Sequence, residues 1–199
     1  MEPRPDDRED KRLMAALAAG DDLALNQIMH RWQRPVRAFL LRFLTSDADV
    51  EDLVQETFVR VYKHRARYQP RGRFSTWLFT IAVNLGRNHA QKMGRRAGES
   101  LDAGSLTDAA GHVSPAREYA SPEPDPADRA LARERAEAVR AAVQDLPPDL
   151  RTAVILSEFE ELSHAEIAEI AGTTPKAIET RLYRARATLR EKLARWLKR

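Results

Sequence analysis

Residues 161–193, "ELSHAEIAEIAGTTPKAIETRLYRARATLREKL", decide the fold. Ser163 and Glu166 have the spacing of a capping box, and Leu162 and Ile167 flank them as a hydrophobic staple, so a helix is expected to start at Ser163. It runs only to about Ala171, because Gly172 supplies the left-handed residue that ends helices cheaply. Thr174 can cap a second helix whose first position suits Pro175. A short helix, a glycine turn and a longer helix make a helix-turn-helix, with the second helix placed to read duplex DNA. On that helix Ile178 and Leu182 face inward, while Lys176, Glu179, Thr180, Tyr183, Arg184 and Arg186 are candidates for the outer face. Arg can pair with guanine, Glu can accept from cytosine and Thr can serve either role; Arg181 is a candidate phosphate contact.

Upstream, the same three-to-four residue recurrence of apolar positions continues and strand signals are scarce, so the fold class is all-α. A disordered tail and helix start are expected over 1–18. The helix that follows, Asp22 to Leu44, carries Leu25, Ile28, Met29, Trp32, Val36, Phe39, Leu40 and Phe43 on its apolar face and is kinked or divided at Pro35. A second runs from about Ala48 to Arg65, burying Val50, Leu53, Val54, Thr57, Phe58 and Val61 and exposing Asp49, Asp52, Glu56, Arg60 and Lys63. A third begins in "RFSTWLFTIAVNLGRNHAQKMGRR" (73–96), with Ser75 as its N-cap and Phe74 and Phe79 as a staple. Leu78, Ile81, Ala82 and Leu85 form its buried stripe; Thr80, Asn84, Arg87 and Gln91 form a polar one, with Asn88 beside it. Two asparagines inside a helix are unfavourable by propensity, so they either bond neighbouring backbone or serve a ligand. Low apolar content, Pro, Gly and net negative charge mark a linker over 97–128. The division is therefore 1–18, 19–96, 97–128 and 129–199, two small helical domains on a flexible tether.

The net charge of +3 conceals a strong polarity. No acidic residue lies between Glu56 and Glu99, a span holding Arg60, Lys63, Arg65, Arg67, Arg71, Arg73, Arg87, Lys92, Arg95 and Arg96. From Lys176 to Arg199 nine basic residues face only Glu179 and Glu191. Two basic segments without counter-charges imply two polyanion contacts. Absence of cysteine excludes disulfides and thiolate metal sites, and five scattered histidines have no ligand spacing, so neither metal nor cofactor is expected. No apolar run approaches the roughly 20 residues of a membrane span, and the polar start is unlike a secretory signal; a cytoplasmic protein is expected.

Three stretches, "DADVEDLVQETFVRVYKH" (47–64), "FSTWLFTIAVNLGRNHAQKMGRR" (74–96) and "LPPDLRTAVILSEFEELSHAEIAEIAGTTPKAIETRLYRARATLREKL" (146–193), resemble regions two and four of a bacterial RNA polymerase sigma factor of the extracytoplasmic-function group. The resemblance implies that Asp49, Asp52, Gln55 and Glu56 dock on the clamp helices of core polymerase, with a further contact to its flap. It implies that Phe74, Ser75, Thr76 and Trp77, at the loop and helix start, together with Asn84 and Asn88, read the unpaired minus-ten strand, with Asn84 at a flipped base. Arg87, Lys92, Arg95 and Arg96 then hold the adjacent backbone. It implies that Lys176, Glu179, Thr180, Arg181, Tyr183 and Arg184 contact the minus-thirty-five duplex. Promoter DNA, core polymerase and an anti-sigma factor are the implied partners, any zinc belonging to the last; the free chain is expected to be monomeric and not inserted in a membrane. The recognition helix departs from the group's common "GTVKSR" by reading "KAIETR", which puts Glu179 where a basic residue is usual, and Asn88 stands where Asp is frequent.

A stand-alone helix-turn-helix repressor or activator accounts for the C-terminal part but not for the basic, Asn-bearing N-terminal module. A nucleic-acid enzyme lacks a paired-carboxylate metal site, a P-loop and a Cys nucleophile in this sequence.

Overall fold

Helix α1 (Asp7–Ala18) occupies most of the stretch expected to hold a disordered tail and only the start of a helix. Asp6 caps it, its carboxylate accepting from Arg8 N–H at 3.1 Å, and Leu13, Met14 and Leu17 are completely covered. What holds it is remote: Asp10, itself fully buried, accepts from Arg31 Nε at 2.7 Å. A polar segment with three apolar residues looks like a tail until a partner helix supplies the cation that makes burial of its aspartate tolerable. The computed structural model describes residues 5–44, 46–99 and 126–197; the side chains of 94–99, 126–128 and 197, and all of 100–125, lie outside the described residues. The linker reading over 100–125 and the roles of Arg95 and Arg96 therefore lie outside them too.

Helix α2 (Leu23–Phe43) runs undivided through Pro35. A proline inside a helix costs about 3 kcal/mol. Burial of Trp32, Val36, Phe39, Leu40 and Phe43 on the same helix offsets it, since each large apolar side chain contributes about 1.5–3 kcal/mol. Helix α3 (Asp47–His64) starts at Ser46, which accepts from Asp49 N–H, and buries Val50, Val54, Thr57, Phe58 and Val61 as expected. The Thr57 hydroxyl is satisfied by the Leu53 carbonyl at 2.7 Å. A 3-10 turn (Arg65–Arg67) and a loop lead to helix α4 (Phe74–Glu99), which passes through Gly94.

The start of α4 differs from expectation. Ser75 is its second residue, buried to 3% exposure, and the N-terminal donor is capped across space: Phe74 N–H donates to Asp7 Oδ1 of α1 at 2.7 Å. Gly86 lets α4 meet α2 closely, because a Cβ there stands 2.8 Å from Cδ1 of the buried Phe43 ring. Around this contact Trp32, Phe39, Phe74 and Phe79 pack edge to face with centroids 5.6–6.2 Å apart.

Helices α5 (Pro126–Gln144) and α6 (Pro148–Val154) lead through a π-helical segment (Ile155–Phe159) to the helix-turn-helix. Its first helix, α7 (His164–Ala171), has the complete capping box of Ser163 and Glu166, and Gly172 ends it at φ 61°. Thr174 caps α8 (Pro175–Lys192), and a last turn, α9 (Ala194–Leu197), closes the described chain. No strand occurs among the described residues.

The two modules pack on one another and share a contiguous apolar core. Helix α7 lies against α4, and α5 and the π-helical segment lie against α2. Polar contacts specify the docking: Gln144 Nε2 donates to the carbonyls of Leu41 (3.2 Å) and Leu44 (2.6 Å), and Arg151 Nη1 to that of Phe43 (2.7 Å). The last turn of α2 has carbonyls with no intrahelical donor, and the second module supplies the donors.

Candidate nucleic-acid interface

On α8 the inward Ile178 and Leu182 leave Lys176, Glu179, Thr180, Tyr183 and Arg184 exposed, Tyr183 at 76%. Lys176 Nζ lies 2.8 Å from Glu179 Oε2 one turn away. Its hydrogen bond and charge hold the Glu179 carboxyl below its ordinary pKa, so the group remains an acceptor at neutral pH. The Thr180 hydroxyl donates to the Lys176 carbonyl at 3.0 Å and keeps only its acceptor capacity for a ligand. Arg186 is tied to Glu158 at 2.7 Å. Arg181 stands apart from this set: its side chain is 25% exposed and turns toward α6 of its own module, with Nη2 3.1 Å from Asp149 Oδ2.

Helix α4 presents Asn84, Asn88, Gln91 and Lys92 to solvent. Neither asparagine side chain makes a hydrogen bond among the described residues, so of the two uses open to a helical asparagine the backbone bond is not taken. Arg87 lies on the same stripe, its side chain 22% exposed and its Nη2 2.9 Å from Asp149 Oδ1. Arg73, two heptads before Arg87, approaches Glu166 of α7 at 3.5 Å.

Phe74, Ser75 and Thr76, expected at the loop and helix start as DNA-facing residues, are interior, with exposures of 0%, 3% and 2%. Phe74 is drawn into the aromatic cluster, and Ser75 and Thr76 go under with it because α4 begins two residues earlier than their sequence pattern suggests. Trp77 does reach the surface in part. Its ring meets Tyr68 at 5.0 Å, and Tyr68 meets Phe74 at 6.0 Å, forming an aromatic ledge in the segment that also carries Arg65, Arg67, Arg71 and Arg73. Burial, with the charges of Asp7 and Asp10, pushes the Tyr68 hydroxyl up to about 12, so it stays a neutral phenol. Tyr68 was not among the sequence candidates; a lone aromatic inside "RYQPRGR" is the signal it left.

On α3, Asp52 and Gln55 are exposed, and Glu56 is half-exposed and bonded to Arg60 at 2.8 Å, which holds its carboxyl below the usual range. Asp49 turns aside, 3.1 Å from His89 Nε2 of α4. Val59, 41% exposed, shares the face of Asp52, Gln55 and Glu56 through helical spacing and adds an apolar centre that the reading of charges passed over. Among the described residues no group of three or more His, Asp and Glu is placed to hold a metal ion, and no helix is long and apolar enough to cross a membrane.

The family model described as Sigma-70 region 2 matches residues 28–96, and that described as Sigma-70, region 4 matches 136–189. The chain is 32% identical to the ECF RNA polymerase sigma-E factor of Escherichia coli K12, over 92% of this chain and 94% of the relative. It is 30% identical to the RNA polymerase sigma-H factor of Pseudomonas aeruginosa, over 91% and 92%. Among solved structures it is similar to CnrH in complex with the cytosolic domain of CnrY, with a TM-score of 0.67 at 25% identity over 94% of this chain and 97% of the other. It is also similar to the sigma factor RpoE in complex with the anti-sigma factor NepR from Bartonella quintana, with a TM-score of 0.66 at 27% identity over 85% and 96%. A region-two module and a region-four helix-turn-helix in one chain, matched by such relatives over nearly their whole lengths, make this protein a member of the sigma-70 family, an RNA polymerase sigma factor of the extracytoplasmic-function group.

Proposed function

We propose that the chain acts as a dissociable, non-catalytic initiation factor of the cytoplasm, with its three polar faces assigned to three contacts. The α3 face of Asp52, Gln55, Glu56 and Val59 meets the clamp of core polymerase, with Asp49 at its edge. The loop, the Tyr68–Trp77 ledge and α4 take the melted minus-ten strand, Asn84 meeting a base and Asn88, Arg87, Lys92, Arg95 and Arg96 serving the strand beside it. Phe74, Ser75 and Thr76 act from beneath, shaping the pocket floor. Unstacking a base costs a few kcal/mol, and a polar side chain with all its capacity free, beside stacking rings, is the usual means of meeting it. The observation that carries this reading is that Asn84 and Asn88 are exposed with no hydrogen bond to their own helix.

Helix α8 reads the minus-thirty-five duplex through Lys176, Glu179, Thr180, Tyr183 and Arg184, with Arg181 at the phosphate backbone. The relatives solved with CnrY and with NepR support an anti-sigma protein as a further partner. Transcription from a genomic fragment library with core polymerase plus this protein, with start sites mapped, tests the assignment. A shared upstream and downstream motif among the start sites is the expected result. Failure to form a complex with core polymerase, together with tight specific duplex binding by the chain alone, refutes it in favour of a repressor.

A further inference from the structure

Asp149, at the start of α6, bonds the proposed DNA-facing helices of both modules at once. Its Oδ1 accepts from Arg87 Nη2 of α4 at 2.9 Å, and its Oδ2 from Arg181 Nη2 of α8 at 3.1 Å. Both arginines are about three-quarters covered, whereas the carboxylate is 56% exposed. Each guanidinium also keeps a buried N–H with no partner, Nε in Arg87 and Nη1 in Arg181. One carboxylate therefore shares two cations and leaves an excess positive charge, the electrostatic situation of a site better matched to a phosphodiester backbone than to a single side chain.

We propose that Asp149 is an internal phosphate decoy: it bridges Arg87 and Arg181, withholding both from DNA while it locks the two modules together. The assignment rests on reading those two arginines as DNA contacts, but the bridge itself does not. The bond geometry ties decoy and lock into one device. Asp149 and Arg181 belong to the second module and Arg87 to the first, so a nucleic-acid strand that captures Arg87 breaks the bond between modules, and one that captures Arg181 leaves Asp149 with Arg87 alone. The α2 clasp of Gln144 and Arg151 and the 3.5 Å approach of Arg73 to Glu166 are then left as polar ties. Exposure of the carboxylate gives a competing anion and added salt direct access to the bridge.

The full chain contains no cysteine, so probes at Gln33→Cys and Ala194→Cys, both exposed positions in different modules, label only those sites. Distances between them are measured in free protein carrying Asp149, Asp149→Asn, or Gln144→Ala, each checked for unchanged helix content. Asn has the shape of Asp without its charge. The expected result is an open-to-closed ratio about threefold to tenfold higher for Asp149→Asn at low salt, the difference vanishing at high salt where exposed ion pairs are screened. Gln144→Ala, which touches no charge, is expected to open the chain to a degree that salt does not erase.

Short mixed-sequence single-stranded DNA is then titrated; Asp149→Asn binds it more tightly by a similar factor. An unchanged distance distribution for Asp149→Asn at every salt concentration overturns the lock, and opening without a gain in DNA affinity overturns the decoy. If no form binds the oligonucleotide while Asp149→Asn still opens the chain, the lock stands and the DNA assignment of Arg87 and Arg181 is what fails.

Discussion

Removal of the Asp7 carboxylate tests whether α4 is capped from another helix. Asp7 Oδ1 accepts from Phe74 N–H at 2.7 Å, and its Oδ2 pairs with Lys11 at 2.7 Å, with about a third of either side chain exposed. Loss of an N-cap side chain costs about 0.5–2 kcal/mol, and a hydrogen bond to a charged acceptor is worth about 1.5–3 kcal/mol when sheltered. The Lys11 pair, at helical spacing and partly solvated, adds a few tenths. Asp7→Ala is therefore expected to lower stability by about 1–2 kcal/mol, and Asp7→Asn, which keeps an acceptor, by about half as much. For a chain of this size that corresponds to about 2–8 °C in Tm for the Ala variant.

The pH dependence carries a second, independent check. Burial acts to raise the Asp7 pKa, but the bonds from Lys11 and Phe74 outweigh it, and the pKa ends below 3.8. A depressed carboxyl contributes stability that is present above its unfolded value and is lost as pH falls through the folded one. The gap between wild type and Asp7→Ala should therefore be full at neutral pH and close in acid. Asp10 titrates with the opposite sign: burial raises its pKa above 3.8 against the pull of Arg31 and Trp32. In the window just above 3.8 the folded chain holds a proton that the unfolded chain has released, so this group favours folding more as pH falls. Urea unfolding across the acid range, with amide exchange at Phe74, reads both effects. An Asp7→Ala cost below about 0.3 kcal/mol, or one equally large in acid, refutes the cross-helix cap.

Gly86→Ala, which in an ordinary helix interior stabilises by up to about 1 kcal/mol, is expected to destabilise by about 1–2 kcal/mol in urea melts because the new methyl meets Phe43. Phe43→Leu in the same chain should relieve part of that overpacking. Val59→Asp is expected to weaken binding to core polymerase at least about tenfold in a pull-down titration, with unchanged Tm, since the residue is exposed and its neighbours Asp52 and Glu56 are already acidic. Asn84→Ala should impair opening and recognition of the minus-ten strand while core binding persists; lost polymerase affinity instead moves Asn84 out of the base pocket. Arg184→Ala should weaken upstream-duplex footprinting about tenfold and reduce its salt dependence, and an unaltered footprint removes Arg184 from the interface.

Much of the site was legible because its signals are local. The capping box at Ser163, the left-handed Gly172 and the Thr174–Pro175 start each operate within one turn of backbone, and all three appear as the spacing implies. The apolar stripe of α3 was equally readable, since burial of one face of a helix imposes its period on the chain. The expectations that moved are those resting on a neighbour. Ser75 has the chemistry of a cap, yet an aspartate 67 residues before Phe74 takes the position. Arg181 has the chemistry of a phosphate contact, and in the free chain its guanidinium is held by Asp149, a pairing the sequence did not announce.

By itself the sequence determined the all-helical class, the helices after α1, the family and the polar faces of α4 and α8, because hydrophobic period, caps and charge distribution act over a few residues. Only the tertiary structure decided that α1 belongs to the core, that Phe74, Ser75 and Thr76 lie beneath the surface, and that one carboxylate joins α4 to α8. Those outcomes depend on buried charge and unpaired backbone groups finding partners dozens of residues away, and such pairings leave no periodic trace in the chain.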